Sequence, residues 1–135
     1  DADVSFSDPL TYMAHANRET FVVIQIEDAE ALDHLDEIAA VPGVDVLFVG
    51  PADLSVSLGV PFQFSSPEYV AALRRIGEAA TRQGKWWGLL VADVASAIPY
   101  LRQGARFLCV GGDFVWYKQA CLALRRDFDQ AVAEI

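Results

Sequence analysis

Two apolar runs, each followed by polar residues, organise the sequence. Residues 21–26 read Phe-Val-Val-Ile-Gln-Ile and lead to Glu27, and residues 46–49 read Val-Leu-Phe-Val and lead into Gly50-Pro51-Ala52-Asp53-Leu54-Ser55. Runs rich in β-branched and aromatic residues predict strands, and a segment of helical length separates these two. Sites in parallel α/β folds form at the carboxyl edge of the sheet. The stretch therefore predicts a β-α-β unit that presents Glu27 and Asp53 at that edge.

The composition indicates one folded domain and excludes several kinds of partner. The chain has 135 residues, of which 53% are hydrophobic and 21% charged, and its net charge is −9. Strong acidity without a basic stripe disfavours nucleic acid and anionic membranes as partners. No apolar run approaches the roughly 20 residues of a membrane span, no signal peptide is visible, and the chain starts at Asp1 and not at Met. We expect a cytoplasmic protein, and we expect that a leader or half of a protein has been removed or that the chain is an excised piece.

The two cysteines do not form a metal-binding or redox motif. Cys109 and Cys121 lack the spacing of a CxxC motif. Free cysteines behave mostly as small apolar residues in reducing compartments. We therefore expect both to be reduced, buried thiols.

Turn and capping signals divide the chain into alternating strands and helices. Glycines after predicted helices, and serine, aspartate or proline before them, mark the boundaries. Residues 1–8 are predicted to be a loop or a frayed end, and residues 50–64 a long loop. The strands are predicted to begin near residues 20, 44, 85 and 106, and the helices to cover residues 9–17, 28–40, 66–83, 93–103 and 114–133.

The predicted order gives four strand–helix units in a single domain. A (β/α)₈ barrel requires about 250 residues, so four units amount to half of one. The alternatives are an open four-stranded parallel sheet and a half-barrel that is completed by another chain. Either one exposes sheet edges, which favour association.

Glu27 and Asp53 are one β-α-β step apart and are candidates to bind one divalent cation. Carboxylate oxygens suit Mg²⁺ or Mn²⁺, and two of them leave positions for a chelating substrate and water. The alternative makes Glu27 a helix N-terminal residue and Asp53 an Asx-turn residue. Gln25 favours the site, because it lies on the strand face of Glu27 and a polar side chain there needs partners. Backbone N–H groups of Gly50-Pro51-Ala52 are candidates to hold a carboxylate.

Several segments together resemble one enzyme family. They are Ile24-Gln25-Ile26-Glu27, Gly43-Val44-Asp45, Phe48 to Ser55, Gly84-Lys85, Gly88-Leu89-Leu90 and Gly104-Ala105. They are similar to the HpcH/HpaI aldolases, the class II metal-dependent pyruvate aldolases such as 4-hydroxy-2-oxoheptanedioate aldolase. The resemblance implies a (β/α)₈ TIM barrel, of which residues 1–135 are the C-terminal half.

The resemblance also implies a role for each candidate site residue. Glu27 and Asp53 match the family's ligands for a divalent metal (Mg²⁺, Mn²⁺ or Co²⁺), and Gln25 matches its active-site glutamine. The backbone amides of Ala52 and Asp53 match the cradle of the pyruvate carboxylate, and Leu90 matches an apolar residue of the aldehyde pocket. The implied substrate-binding set is Gln25, Gly50, Pro51, Ala52, Asp53 and Leu90.

The activity implied is carbon–carbon lysis or formation in 4-hydroxy-2-oxo acids. In the family, the metal chelates pyruvate or oxaloacetate and stabilises the enolate that reacts with an aldehyde, without a Schiff-base lysine. The catalytic His and Arg come from the N-terminal half, so we expect this chain alone to be inactive. Family members are homo-oligomers, commonly hexamers, in which the last helix packs on a neighbouring subunit. Phe114, Trp116 and Leu122 are the implied interface candidates.

Two other functions remain open. The same chemistry with another electrophile would make the protein a C–C bond-forming synthase or an oxaloacetate decarboxylase of the same family. A half-barrel that only assembles with other chains would be a non-catalytic module.

Overall fold

Four parallel strands form one sheet in the computed structural model, which describes residues 8–134. The strands are β1 (Val22–Ile26), β2 (Val44–Val49), β3 (Trp86–Val91) and β4 (Phe107–Val110). They lie side by side in chain order, and every neighbouring pair is parallel. The predicted α/β architecture of barrel type, with four strand–helix units, is confirmed. The segment predicted as a loop at residues 1–7 lies outside the described residues.

The helices connect these strands and flank the sheet. They are α1 (Pro9–Glu19), α2 (Leu35–Ala40), α3 (Pro51–Ser57), α4 (Pro67–Arg82), α5 (Val94–Arg102) and α6 (Asp113–Ala133). The predicted caps form, because the side chains of Asp8, Ser66 and Asp93 accept bonds from the backbone N–H groups of Leu10, Tyr69 and Ser96. No helix within residues 8–134 is both long and apolar enough to cross a membrane.

The core lies between one face of the sheet and the helices. Ile26, Leu47 and Leu89 are fully or almost fully buried on that face, and Ile76 of α4 packs against them. Trp87 is 3% exposed, and its indole lies over Gly77, where an added Cβ would be 3.1 Å from the ring. A helix without a side chain at that position can therefore approach the sheet closely.

The opposite face of the sheet carries partly exposed apolar side chains, and we call it the inner face. The rings of Phe48 and Phe107 meet edge to face at 5.8 Å, and Phe21 contacts Phe107 at 5.7 Å. Helices α2, α4 and α5 contribute to the core on the other side. By strand register, the half-buried or exposed residues of the inner face are Val23, Gln25, Phe48, Trp86, Leu90, Phe107 and Cys109.

Three predictions require correction. Residues 50–64 are not one loop, because residues 51–57 form α3. The helix predicted at residues 28–40 is a 3₁₀ turn over Glu30–His34 followed by α2. Both cysteines are free but exposed, because Cys109 lies on the inner face and Cys121 on α6, none of whose described residues is buried.

Candidate functional site

Glu27 and Gln25 form a hydrogen-bonded pair at the carboxyl end of β1. The Gln25 amide Nε2 donates to Glu27 Oε2 at 2.5 Å, and both side chains are exposed. The bond uses one of the two Glu27 carboxylate oxygens and the amide nitrogen of Gln25. The sequence predicts that Gln25 and Glu27 share one strand face, and in the structure their side chains are in direct contact.

Gly50 provides the surface on which this pair rests. A Cβ at Gly50 would lie 2.7 Å from Glu27 Oε2 and 2.8 Å from Gln25 Nε2. Its backbone angles, φ −86° and ψ 95°, are open to any residue. The position therefore requires glycine for space and not for conformation.

Asp53 lies in the first turn of α3, directly after β2. Pro51 is at the first position of this helix, which starts immediately after Gly50. The Asp53 side chain is exposed and has no hydrogen bond or ion pair within residues 8–134. The Gly50 N–H donates to the Ile26 carbonyl at 3.1 Å, so the chain beyond β2 starts beside the end of β1. Glu27 and Asp53 therefore come from neighbouring strand ends at one edge of the sheet.

Only some of the backbone N–H groups of the turn at residues 50–53 are available to bind a carboxylate. The Gly50 N–H is already bonded to Ile26, and Pro51 has none. The first helical bond runs from the Leu54 N–H to the Gly50 carbonyl, which leaves the N–H groups of Ala52 and Asp53 without helical partners. These two amides are the donors that the turn offers at the edge.

Ser55 fixes the first turn of α3 from inside. Its side chain is fully buried, donates to the Ala52 carbonyl at 2.7 Å and accepts from the Phe62 N–H at 2.9 Å. Phe62 has φ 58°, the left-handed region that a bulky residue seldom adopts. The buried hydroxyl thus couples the Ala52 turn to a constrained loop residue.

Leu90 lies on β3 near the carboxyl edge and belongs to the inner face. It is 43% exposed, whereas its neighbours Leu89 and Val91 are buried against the helices. Strand register pairs it with Cys109 of β4. Its exposed side chain therefore offers an apolar contact surface on the inner face, beside the carboxyl edge of the sheet.

The donor set fits a divalent cation that retains several other ligands. Within residues 8–134, no group of three or more His, Cys, Asp or Glu side chains is arranged to hold a metal. A closed all-protein site is thus not formed by these residues. Two exposed carboxylates at one edge match the way Mg²⁺ binds, through one or two carboxylates together with water and substrate oxygens.

Neither Ser55 nor Ser57 stands out in the sequence as a site residue. Serines two positions apart in a segment predicted as a loop resemble ordinary solvated residues. Their contacts are with Phe62 and Ala29, which are distant enough in sequence that only the fold reveals them. Local sequence therefore offers no signal for these two contacts.

Comparison with known proteins gives consistent matches. The model of the family described as HpcH/HpaI aldolase/citrate lyase matches residues 2–120. A hydroxypyruvate/pyruvate aldolase from Paraburkholderia phytofirmans is 41% identical over 109 residues, which are 81% of this chain and 42% of that protein.

Solved structures agree in fold. An HpcH/HpaI aldolase from Desulfitobacterium hafniense matches with a TM-score of 0.82 and 30% identity over 93% of this chain and 49% of the other. A citrate synthase matches with a TM-score of 0.78 and 27% identity over 91% of this chain and 51% of the other. The chain thus spans about half the length of the proteins it matches.

Proposed function

The chain belongs to the HpcH/HpaI aldolase/citrate lyase family, and on that premise we propose that it carries the metal- and pyruvate-binding part of a class II aldolase. The reaction is the reversible cleavage of 4-hydroxy-2-oxo acids to pyruvate and an aldehyde, and oxaloacetate would supply the same enolate with loss of CO2. Because the chain spans 42% of its aldolase relative, we propose that activity requires an N-terminal half, whose His and Arg would move the protons and stabilise negative charge.

The observation that supports this proposal is the Gln25–Glu27 pair resting on Gly50 beside the first turn of α3. Glu27 and Asp53 would hold Mg²⁺, Mn²⁺ or Co²⁺, which when bound supplies Lewis-acid polarisation of a substrate carbonyl. The side-chain amide of Gln25 orients one Glu27 oxygen by donating a hydrogen bond to it. A metal ion held in this way would have free coordination positions for a small acid that chelates it.

The substrate contacts follow from the same edge. The N–H groups of Ala52 and Asp53 would bind the carboxylate of pyruvate, because amides without helical partners at a helix start attract anions. Leu90 would exclude water from the aldehyde side. His15 and His34 each lie beside a glutamate on a helix surface, which fits a solvated role.

Removing either carboxylate tests the proposal. In the assembled barrel, Glu27→Gln and Asp53→Asn are expected to weaken Mn²⁺ binding about 100-fold, at least as much as loss of an outer-shell partner, and to abolish pyruvate-dependent turnover. Isothermal titration with Mn²⁺, with and without pyruvate, measures the binding. Glu37→Gln, which alters an exposed carboxylate on α2, is the matched control. Unchanged Mn²⁺ binding in both site variants would contradict the proposal.

The citrate synthase match favours one alternative, a C–C bond-forming synthase built on the same site; an oxaloacetate decarboxylase of the same family is a second. Product analysis separates these activities, because oxaloacetate alone yields pyruvate only in a decarboxylase. A non-catalytic assembly module is the remaining alternative, supported by the partly exposed inner face. It would give oligomers without metal-dependent turnover.

We also propose that the protein is a homo-oligomer in which α6 packs on a neighbouring subunit. None of the described residues of α6 is buried, and exposed apolar residues recur along it at heptad spacing. We call this set the α6 seam: Phe114, Tyr117, Cys121, Leu124 and Phe128. Of the predicted interface residues only Phe114 belongs to it, since Leu122 lies off the seam and the Trp116 indole lies against Gly111 of the same chain.

The free thiols fit the predicted location. Cys109 and Cys121 are unpaired and exposed, a state that persists in reducing compartments. We propose a cytoplasmic protein.

A further inference from the structure

We infer that Ser57 is a positioning residue that holds the two candidate metal ligands in register, an inference that rests on the proposed function. Ser57 is the last residue of α3, the helix that carries Asp53. Its Oγ accepts a hydrogen bond from the Ala29 N–H at 2.9 Å and lies 3.4 Å from Asp28 Oδ1. It therefore joins α3 to the segment that directly follows Glu27.

The helical spacing shows which side of α3 makes this contact. Asp53 and Ser57 are four residues apart, so they lie on one face of the helix. The face that contacts Ala29 is consequently the face that carries Asp53. The Ser57 hydroxyl thus joins the Asp53 side of α3 to the segment after Glu27, by accepting from the Ala29 N–H and by a longer bond to Asp28.

Within residues 8–134, the hydrogen bonds between α3 and the segment that follows Glu27 are those of the Ser57 hydroxyl. The Gly50 N–H bond to Ile26 fixes the strand ends, but it lies before the helix. Asp28 caps its own turn by accepting from the Glu30 N–H at 2.9 Å, which holds the loop only locally. A helix of seven residues has little intrinsic stability, so its orientation depends on tertiary contacts, which are the burial of Leu54 and Ser55 on one side and the Ser57 bond on the other.

The expected effect is on ligand geometry and not on folding. Ser57 and Asp28 are exposed and Ala29 is half-buried, so the loss of the hydroxyl removes the acceptor of the Ala29 N–H but leaves no fully buried residue without its partner. Partners of metal ligands typically contribute 10- to 100-fold to affinity, and we expect about 10-fold here. Ser57→Thr keeps the acceptor oxygen and should restore the affinity to within about 3-fold, inside that range.

The test uses the assembled barrel and four proteins: unmodified, Ser57→Ala, Ser57→Thr and Ser65→Ala. Ser65 is exposed in the loop before α4, which makes it a matched control. We expect Ser57→Ala to bind Mn²⁺ about 10-fold more weakly in titration calorimetry, with an unchanged melting temperature. Amide hydrogen exchange should also show faster exchange at Ala29 in Ser57→Ala only.

The outcomes separate the inference from the function on which it rests. Equal Mn²⁺ affinity in Ser57→Ala and the unmodified protein would overturn the positioning role, and so would equal exchange at Ala29. Equal losses in Ser57→Ala and Ser57→Thr would also overturn it, because the acceptor would then not matter. If the unmodified barrel binds no Mn²⁺ while Ala29 exchange still responds to Ser57→Ala, the proposed metal site itself is wrong.

Discussion

At the scale of single residues, the candidate site depends on the lack of a side chain at Gly50 as well as on the side chains of Gln25 and Glu27. Gly50 is buried, and the carboxylate of Glu27 and the amide of Gln25 rest against its Cα. Its backbone conformation does not require glycine. The constraint is therefore steric and acts directly on the two polar side chains.

Gly50→Ala should reduce metal affinity through this contact. The added Cβ would lie 2.7 Å from Glu27 Oε2, so the Gln25–Glu27 pair must move away. Displaced ligands bind more weakly, and we expect about 10-fold weaker Mn²⁺ binding in calorimetry, comparable with loss of an outer-shell partner. Gly112→Ala is the control, because a Cβ there meets nothing within 4 Å. Equal affinity of Gly50→Ala and Gly112→Ala would contradict this role of Gly50.

The sequence is sufficient to predict which polar residues lie at the carboxyl edge of the sheet, but not which contacts hold them in place. Gln25 and Glu27 follow from alternation along a strand, and Asp53 follows from its position after the next strand. The packing of Gly50 under that pair and the bond from Ser57 to Ala29 join residues more than 20 positions apart. Such contacts depend on how the elements pack, and local sequence pattern carries no information about them.

At the scale of elements, α3 shows where local patterns mislead. Gly50-Pro51-Ala52-Asp53 reads as a turn, yet Pro51 and Asp53 are also favourable in the first turn of a helix. Seven residues are too few to show an amphipathic repeat. The buried Leu54 and Ser55 decide the outcome, since they anchor the segment as a helix against the core. The first two strands were predictable because their apolar runs are rich in β-branched residues, and the last two because each apolar run follows a glycine that ends a helix.

The pairing of β3 with β4 depends on Gly88. A Cβ at this position would lie 1.5 Å from the Phe107 carbonyl oxygen. No rotation of a side chain can relieve contact with a backbone atom, so the strands would have to separate. Gly88 therefore sets the distance between the last two strands.

Gly88→Ala is expected to destabilise the fold by about 3 kcal/mol, at the upper end of overpacking effects. Urea unfolding followed by circular dichroism measures the change in free energy. Gly112→Ala again serves as control and should stay within about 0.5 kcal/mol of the unmodified protein, as surface substitutions generally do. A Gly88→Ala midpoint equal to that of the control would show that the strands tolerate the added methyl group.

At the scale of the whole molecule, the composition and order of elements predict the barrel-type unit, but not its surfaces. The inner face and α6 carry apolar residues that a solvated domain seldom displays together. Half the length of the matched proteins lies beyond what this chain spans. Burial depends on what packs on a surface, which explains why the two cysteines are exposed here although their apolar neighbours suggest burial.

Substitution on the α6 seam should lower the oligomeric state. Leu124→Glu and Phe128→Glu place charges in the proposed interface, where burial of an unpaired carboxylate is strongly unfavourable. We expect a smaller sedimentation coefficient for both, with unchanged far-ultraviolet circular dichroism. Leu122→Glu is the matched control, because Leu122 is also exposed on α6 but lies off the seam. Dissociation by Leu122→Glu alone would contradict the assignment of the seam.

The neighbouring residues Trp86 and Trp87 give the molecule two optical probes that face opposite ways. Trp86 is 59% exposed on the inner face, and Trp87 is 3% exposed against the helices. With Trp116→Phe, the tryptophan emission of this chain, excited selectively over tyrosine, comes from these two indoles alone. A layer that closes over the inner face would shift the Trp86 emission to shorter wavelength and protect it from acrylamide, while the Trp87 signal stays constant. Barrel closure can therefore be followed by intrinsic fluorescence, without a label.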